Sequence, residues 1–252
     1  MNNLNAEINH RTKEDENQLV FSYMTLRNFI GFAGIFLPIA LLVFTKPEGG
    51  LAQQPSISDY YYTNTGDVLV SVLCIMATFL VTYNGYGFVE RLWAFAAAAG
   101  ALGVAFNPTN IKYNHVEPLY SAHAVRGPLL VWNTQLHLIS ALIFFVSLIV
   151  FSMYYFNKPP QNPHTAKKTT PAIAAGRKWT HYLCGSVMIG CIVWIGIYFM
   201  VWKEKAPPGN PTIFWCESVA LWAFGISWIT KGETLWNRDT HYIKKGIQLL
   251  KK

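Results

Sequence analysis

The sequence predicts an all-α protein, a polytopic transmembrane bundle of six helices with both termini on the cytoplasmic side. Three observations carry that prediction. Hydrophobic residues make up 52% of the 252 residues and charged residues only 13%. Six runs, at 26–45, 67–83, 92–106, 131–156, 182–202 and 211–230, are almost free of charge, and each approaches the ~20 residues that cross ~30 Å of hydrocarbon. Lys and Arg fall one-sidedly between the runs, fifteen in the segments placed inside against five in those placed outside, which is the positive-inside bias. The few polar residues left over could not cover six such helices in a soluble core.

The first 25 residues are polar, with Lys13, Glu14, Asp15 and Glu16, and read as a cytoplasmic tail with a short interfacial helix at 18–23. The first run is too long for a secretory signal and lacks a cleavage site nearby, so it stays as helix one. The second opens at Asp67, where a carboxylate favours the positive end of the helix dipole. The third is the shortest and the smallest-faced, with Ala96 to Ala99, Gly100, Ala101 and Gly103. Small residues let helix backbones approach closely, so this helix is expected to pack on protein more than on lipid, and to extend toward Val89. Gly85 and Gly87 supply the freedom for a tight turn at 83–91. The membrane domain spans 26–232 and ends in a basic tail at 233–252.

That tail and the segment 157–178 face anionic lipid headgroups in this topology, which accounts for the net charge of +7 without nucleic acid. Membrane lipids are therefore the expected partners. Cys74, Cys184, Cys191 and Cys216 all fall inside helices with no Cys-x-x-Cys spacing, so neither a disulfide framework nor a thiolate zinc site is expected.

The polar residues with chemistry gather on the outer side, in and below the loops 46–66, 108–130 and 203–210. His137 and Glu217 each lie about six residues into a helix that starts there, so both sit at a depth of about 9 Å. A carboxylate at such a position costs roughly 2.5–3.5 kcal/mol on insertion scales and is seldom kept without a partner or a task. Asp59, Asp67, Asn107, His137 and Glu217 can converge at one level. Three readings stand together: a polar clamp between helices four and six, a catalytic or metal centre, and a ligand-headgroup site. An imidazole held in one tautomer by a carboxylate is an acid–base unit, and His137, Glu217 and Asp67 would offer a divalent metal one nitrogen and two oxygens. No HExxH, HxxxH or paired-acid motif raises the metal reading, and no other cofactor is expected. His115 and His123 read as solvated loop residues. The triplet Tyr60–Tyr62 and Trp132 read as interfacial anchors, or as a lip for an acyl or glycan substrate. On the inner side, Glu90 or Glu233 is expected to pair with Arg177 or Lys178.

Several of these residues carry a resemblance. Ile57-Ser58-Asp59-Tyr60-Tyr61 follows helix one, Tyr83-Asn84-Gly85-Tyr86 follows helix two, and Asn107-Pro108-Thr109 closes helix three. Phe214-Trp215-Cys216-Glu217, Ala223 to Trp228 and Lys231-Gly232-Glu233 mark the last helix. Over roughly residues 26–233 the chain resembles a bacterial family of uncharacterised six-helix integral membrane proteins, which implies the cytoplasmic (inner) membrane. More distantly it is similar to the DRAM-like superfamily, which includes GPI-anchor-remodelling and autophagy-modulator proteins. There too an Ile-Ser-Asp follows helix one, with a His near the start of helix four and a Glu near the start of helix six. That likeness implies lipid or lipid-anchor handling. The chain lacks the three histidines and seventh helix of alkaline-ceramidase-type hydrolases, which argues against a zinc amidase.

The function expected is binding, and as an enzyme modification, of a lipid or lipid-linked substrate at an outward-facing polar pocket. Hydrolysis or acyl transfer would use His137 as general base, Glu217 as its orienter, and Asp59 or Asp67 as metal ligand or second carboxylate, with Ser56 and Ser58 near. The alternative is a non-enzymatic scaffold in which His137 and Glu217 clamp the helices. A transporter would need broken helices and repeat symmetry, and only Pro38 interrupts a helix centre.

Overall fold

The computed structural model describes residues 28–45, 53–83, 87–109, 134–158, 171–202, 205–207 and 209–231, and among them there is no strand. Among the described residues six α-helices run in order: α1 (Asn28–Phe44), α2 (Gly66–Val81), α3 (Phe88–Phe106), α4 (Thr134–Met153), α5 (Pro171–Ile197) and α6 (Thr212–Lys231). A 3-10 turn, Ser58–Tyr62, precedes α2. Four of the described segments are long and apolar enough to cross a membrane: α3, Thr134–Asn157, Pro171–Trp202 and α6. α1 and α2 are shorter apolar helices.

Two helices start earlier than their hydropathy indicates. α3 takes in Glu90 and Arg91 because Glu90 is turned inward, 2% exposed, with its Oε1 accepting the Tyr83 hydroxyl at 2.8 Å. α5 begins eleven positions before 182, at Pro171, a residue whose fixed φ suits the first helical turn. The alanines that follow it, Ala172, Ala174 and Ala175, favour helix without adding much apolar character. At its other end α5 runs into a π-turn, Tyr198–Trp202.

The helices close into a ring. α2 packs on α3, α3 on α4, α4 on α5 and α5 on α6, with α4 also touching α6. α1 fills the remaining place, its Phe29 ring edge-on to Phe79 of α2 at 5.3 Å and its Ile35 carbonyl accepting the Trp222 indole N–H of α6 at 3.1 Å. The apolar stretch of α6 is 56% buried against 17% for that of the α5 span, so α6 turns more of itself to the core and α5 shows most of its apolar surface. The small face of α3 is where close packing occurs. A Cβ placed on Gly100 would stand 2.7 Å from the Phe144 backbone nitrogen and 2.8 Å from the Ser140 carbonyl oxygen of α4.

Tyr60 and Tyr61 do not act as interfacial anchors: both are buried, and Tyr60 packs against Phe214 with ring centroids 5.6 Å apart. The 3-10 turn folds them under the loop, where burial also pushes the Tyr60 phenol above its ordinary pKa.

Eleven residues beyond Glu217, about 16 Å along α6 at 1.5 Å per residue, the core becomes aromatic. Trp228 is fully buried there among Tyr83, Phe151, Phe156 and Phe224, with centroids 4.9–5.7 Å away. Beside it three helices are joined by a closed chain of hydrogen bonds. Ser152 Oγ of α4 donates to the His181 carbonyl at 2.8 Å. Its one proton is thereby used, so Ser227 Oγ–H must donate to Ser152 Oγ at 2.7 Å, and His181 Nδ1–H to Ser227 Oγ at 2.9 Å. Ser227→Ala would orphan the buried imidazole N–H, a loss of about 1–3 kcal/mol. Ser218, equally buried, only returns its hydroxyl to Phe214 of its own helix. Thermal melts in detergent should therefore show Ser227→Ala clearly destabilised and Ser218→Ala nearly unchanged; equal shifts would remove the inter-helix role of Ser227.

Candidate functional site

Residues 55–59 form a turn that stabilises itself before anything else touches it. Ser56 Oγ accepts the Asp59 N–H at 3.2 Å, and Asp59 Oδ2 accepts the Ser56 N–H at 3.1 Å and its hydroxyl at 2.8 Å. This is the reciprocal arrangement of a capping box, from a Ser-x-x-Asp spacing. Asp59 Oδ1 further accepts the Thr109 hydroxyl at 3.5 Å, and the Tyr62 hydroxyl donates to the Thr109 carbonyl at 2.5 Å, which ties the turn to the end of α3.

Two helices then grip the turn from separate sides. From α6, Glu217 Oε2 accepts the Ile57 N–H at 2.7 Å, and the Phe214 N–H donates to the Pro55 carbonyl at 2.8 Å. The second contact satisfies one of the backbone donors that the first turn of a helix leaves open. From α4, His137 faces Ser58, its Nε2 lying 2.8 Å from Ser58 Oγ. Its Nδ1 is 2.7 Å from the Asn107 carbonyl oxygen. A carbonyl can only accept, so Nδ1 carries the proton; in the neutral ring Nε2 is then the acceptor of the Ser58 hydroxyl. Ser58 is 8% exposed and His137 3%.

The structure thus brings Asp59, Asn107, His137 and Glu217 to one place, but not as a bonded His–Glu pair. Each of the two grips a neighbouring residue of the loop, Ile57 for Glu217 and Ser58 for His137. The orienting partner of the imidazole is the Asn107 backbone. Asp67 follows the turn closed by Gly66 N–H on the Thr63 carbonyl at 3.0 Å, exposed in the first turn of α2. Among the described residues no three His, Cys, Asp or Glu side chains lie close enough to hold a metal ion, so Asp67, His137 and Glu217 are not assembled as a ligand set. All four cysteines are free thiols.

The direct bond between Ser58 and His137 is the contact that the residues alone do not single out, since Ser56 and Ser58 stand equally near. The capping spacing is the signal that separates them, because it commits Ser56 to Asp59. Asn107 adds a further feature. Its Nδ2 donates to the Gly103 carbonyl at 2.9 Å, while its Oδ1 is buried without a hydrogen-bond partner. His115, His123, Trp132, Gly85, Glu233 and both terminal tails lie outside the described residues. Comparison with known proteins finds no matching family model, curated protein or solved structure.

Proposed function

We propose that this chain is a multi-pass membrane protein that binds and modifies a lipid or lipid-linked substrate where the 55–59 turn meets α4 and α6. One observation carries the reading: a histidine and a glutamate from two apolar helices converge on successive residues of one turn, beside the buried, unpartnered Asn107 Oδ1. Ionisable groups are expensive in such helices, and buried polar atoms normally find partners, so a polar cluster with an acceptor left over fits a ligand headgroup. Apolar side chains exposed along α4, including Leu138, Ile139 and Leu142, offer acyl chains a surface beside it. In the proposed topology both termini are cytoplasmic, the turn faces outward, and the location is a bacterial inner membrane; the Lys and Arg bias supports this. The likeness of Ile57-Ser58-Asp59, His137 and Glu217 to the DRAM-like pattern supports the same substrate class.

The second reading, a non-enzymatic scaffold, is favoured by the same bonds seen differently: His137 and Glu217 are both bonded to the loop, and holding it accounts for those contacts. His137→Ala and Glu217→Gln separate the two. Folded yield in detergent and cellular lipid composition by mass spectrometry are measured together. Unchanged yield with an altered lipid profile is expected; lost yield with an unaltered profile would replace the first reading by the second.

A further inference from the structure

We propose that Ser58 is the nucleophile of an ester-transfer reaction and His137 its general base, a reading that rests on the lipid-handling function above. Buried hydroxyls in the helices fall into two kinds. Ser152 and Ser227 bridge helices, but there the His181 imidazole donates to Ser227 and withdraws no proton from it. Ser147, Ser218 and Thr230 each donate to the carbonyl four residues back in their own helix, and Ser56 is committed to Asp59. Ser58 instead reaches across to another element and meets the acceptor nitrogen of an imidazole at 2.8 Å. The opposite nitrogen is fixed on the Asn107 carbonyl at 2.7 Å. Nucleophile, base and orienter within hydrogen-bond reach of one another form the arrangement that activates a serine hydroxyl. Glu217, holding the Ile57 N–H, is a positioning residue that fixes the backbone immediately before the nucleophile.

The step balances without a metal or a co-reactant beyond the two lipids. Ser58 Oγ bonds to the carbonyl carbon of an ester, and its proton passes to His137 Nε2. The tetrahedral adduct collapses, the carbon–oxygen bond to the alcohol breaks, and the leaving alkoxide takes the proton from Nε2. The acyl-serine is then attacked by a second alcohol, whose proton follows the same route through His137 to Ser58 Oγ. Low exposure of both side chains keeps bulk water from the acyl-serine, which favours a lipid hydroxyl as acceptor over hydrolysis.

The test uses the full-length protein in phospholipid nanodiscs, treated with an alkyl fluorophosphonate. The serine oxygen bonds to phosphorus, fluoride leaves, and the proton goes to His137. A single adduct that maps by peptide mass spectrometry to Ser58 is expected, absent in Ser58→Ala and slowed about 100-fold or more in His137→Ala. No adduct on monodisperse wild-type protein, an adduct at another residue, or a rate at Ser58 indifferent to His137 overturns the assignment. Mapping the wild-type adduct decides the site even if Ser58→Ala fails to fold. Phospholipid retained through purification in detergent is measured on the same protein. An adduct at Ser58 without retained lipid keeps the nucleophile and removes the lipid reading; retained lipid without an adduct does the reverse.

Discussion

Gly225→Leu is expected to leave no folded protein, and Gly225→Ala to lower the melting temperature measurably. A Cβ on Gly225 would stand 2.5 Å from the Gly31 carbonyl oxygen and 2.5 Å from Ile35 Cγ1, both on α1. The contact is reciprocal, since a Cβ on Gly31 would lie 2.9 Å from the Gly225 carbonyl oxygen. An isoleucine can change rotamer, but a helical carbonyl cannot step aside, so the whole of α1 must move outward. That movement stretches the Trp222 indole bond to the Ile35 carbonyl, now 3.1 Å, and loosens Gly34 against the Phe224 ring. Overpacking of this kind costs typically ~1–3 kcal/mol and more when backbone must yield. Between helices in lipid there is little hydrophobic force to restore the contact, because association there depends on close packing. Melting monitored by size-exclusion chromatography in detergent checks it. An unchanged midpoint for Gly225→Ala would mean that α1 and α6 are not in backbone contact.

The six helices are legible in the sequence because each buries or exposes a long apolar surface that hydropathy registers directly. Their ends are legible only where hydropathy and helix formation coincide. At 171–181 they part: Pro171 and the following alanines build helix, while Arg177 and Lys178 keep the stretch polar. The tyrosine triplet misleads for a related reason, since aromatic rings near a helix end look alike whether they face lipid or fold beneath a 3-10 turn as Tyr60 and Tyr61 do. At the candidate site His137 and Glu217 stand out because ionisable groups are rare in apolar runs. Their partners do not, because the Ile57 N–H and the Asn107 carbonyl are main-chain groups that every residue carries. Equal depth therefore brings the two side chains to one level without telling what each one grips.

The last expected result separates the holding role of Glu217 from its charge. In Glu217→Ala, the Ile57 amide should exchange with solvent deuterium roughly 10- to 100-fold faster, since leaving a buried N–H without its acceptor costs about 1–3 kcal/mol and each 1.4 kcal/mol is tenfold. Global stability should move much less. Removing an ionisable side chain from an apolar helix recovers part of its insertion cost, at most about 2.5–3.5 kcal/mol at a helix centre and less near an end, where Glu217 sits five residues past Thr212. That gain opposes the lost bond and the orphaned Ile57 N–H, so the two contributions nearly cancel in the whole while the loop alone bears the change. Glu217→Gln keeps an amide oxygen as acceptor and should leave Ile57 exchange close to wild type. Peptide-level hydrogen exchange across 53–62 reads both variants. Acceleration in the alanine variant alone identifies hydrogen-bond acceptance, rather than negative charge, as what Glu217 supplies to the turn. Equal acceleration in both would make charge the holding force, and no acceleration in either would leave the turn held by its own capping box and by His137.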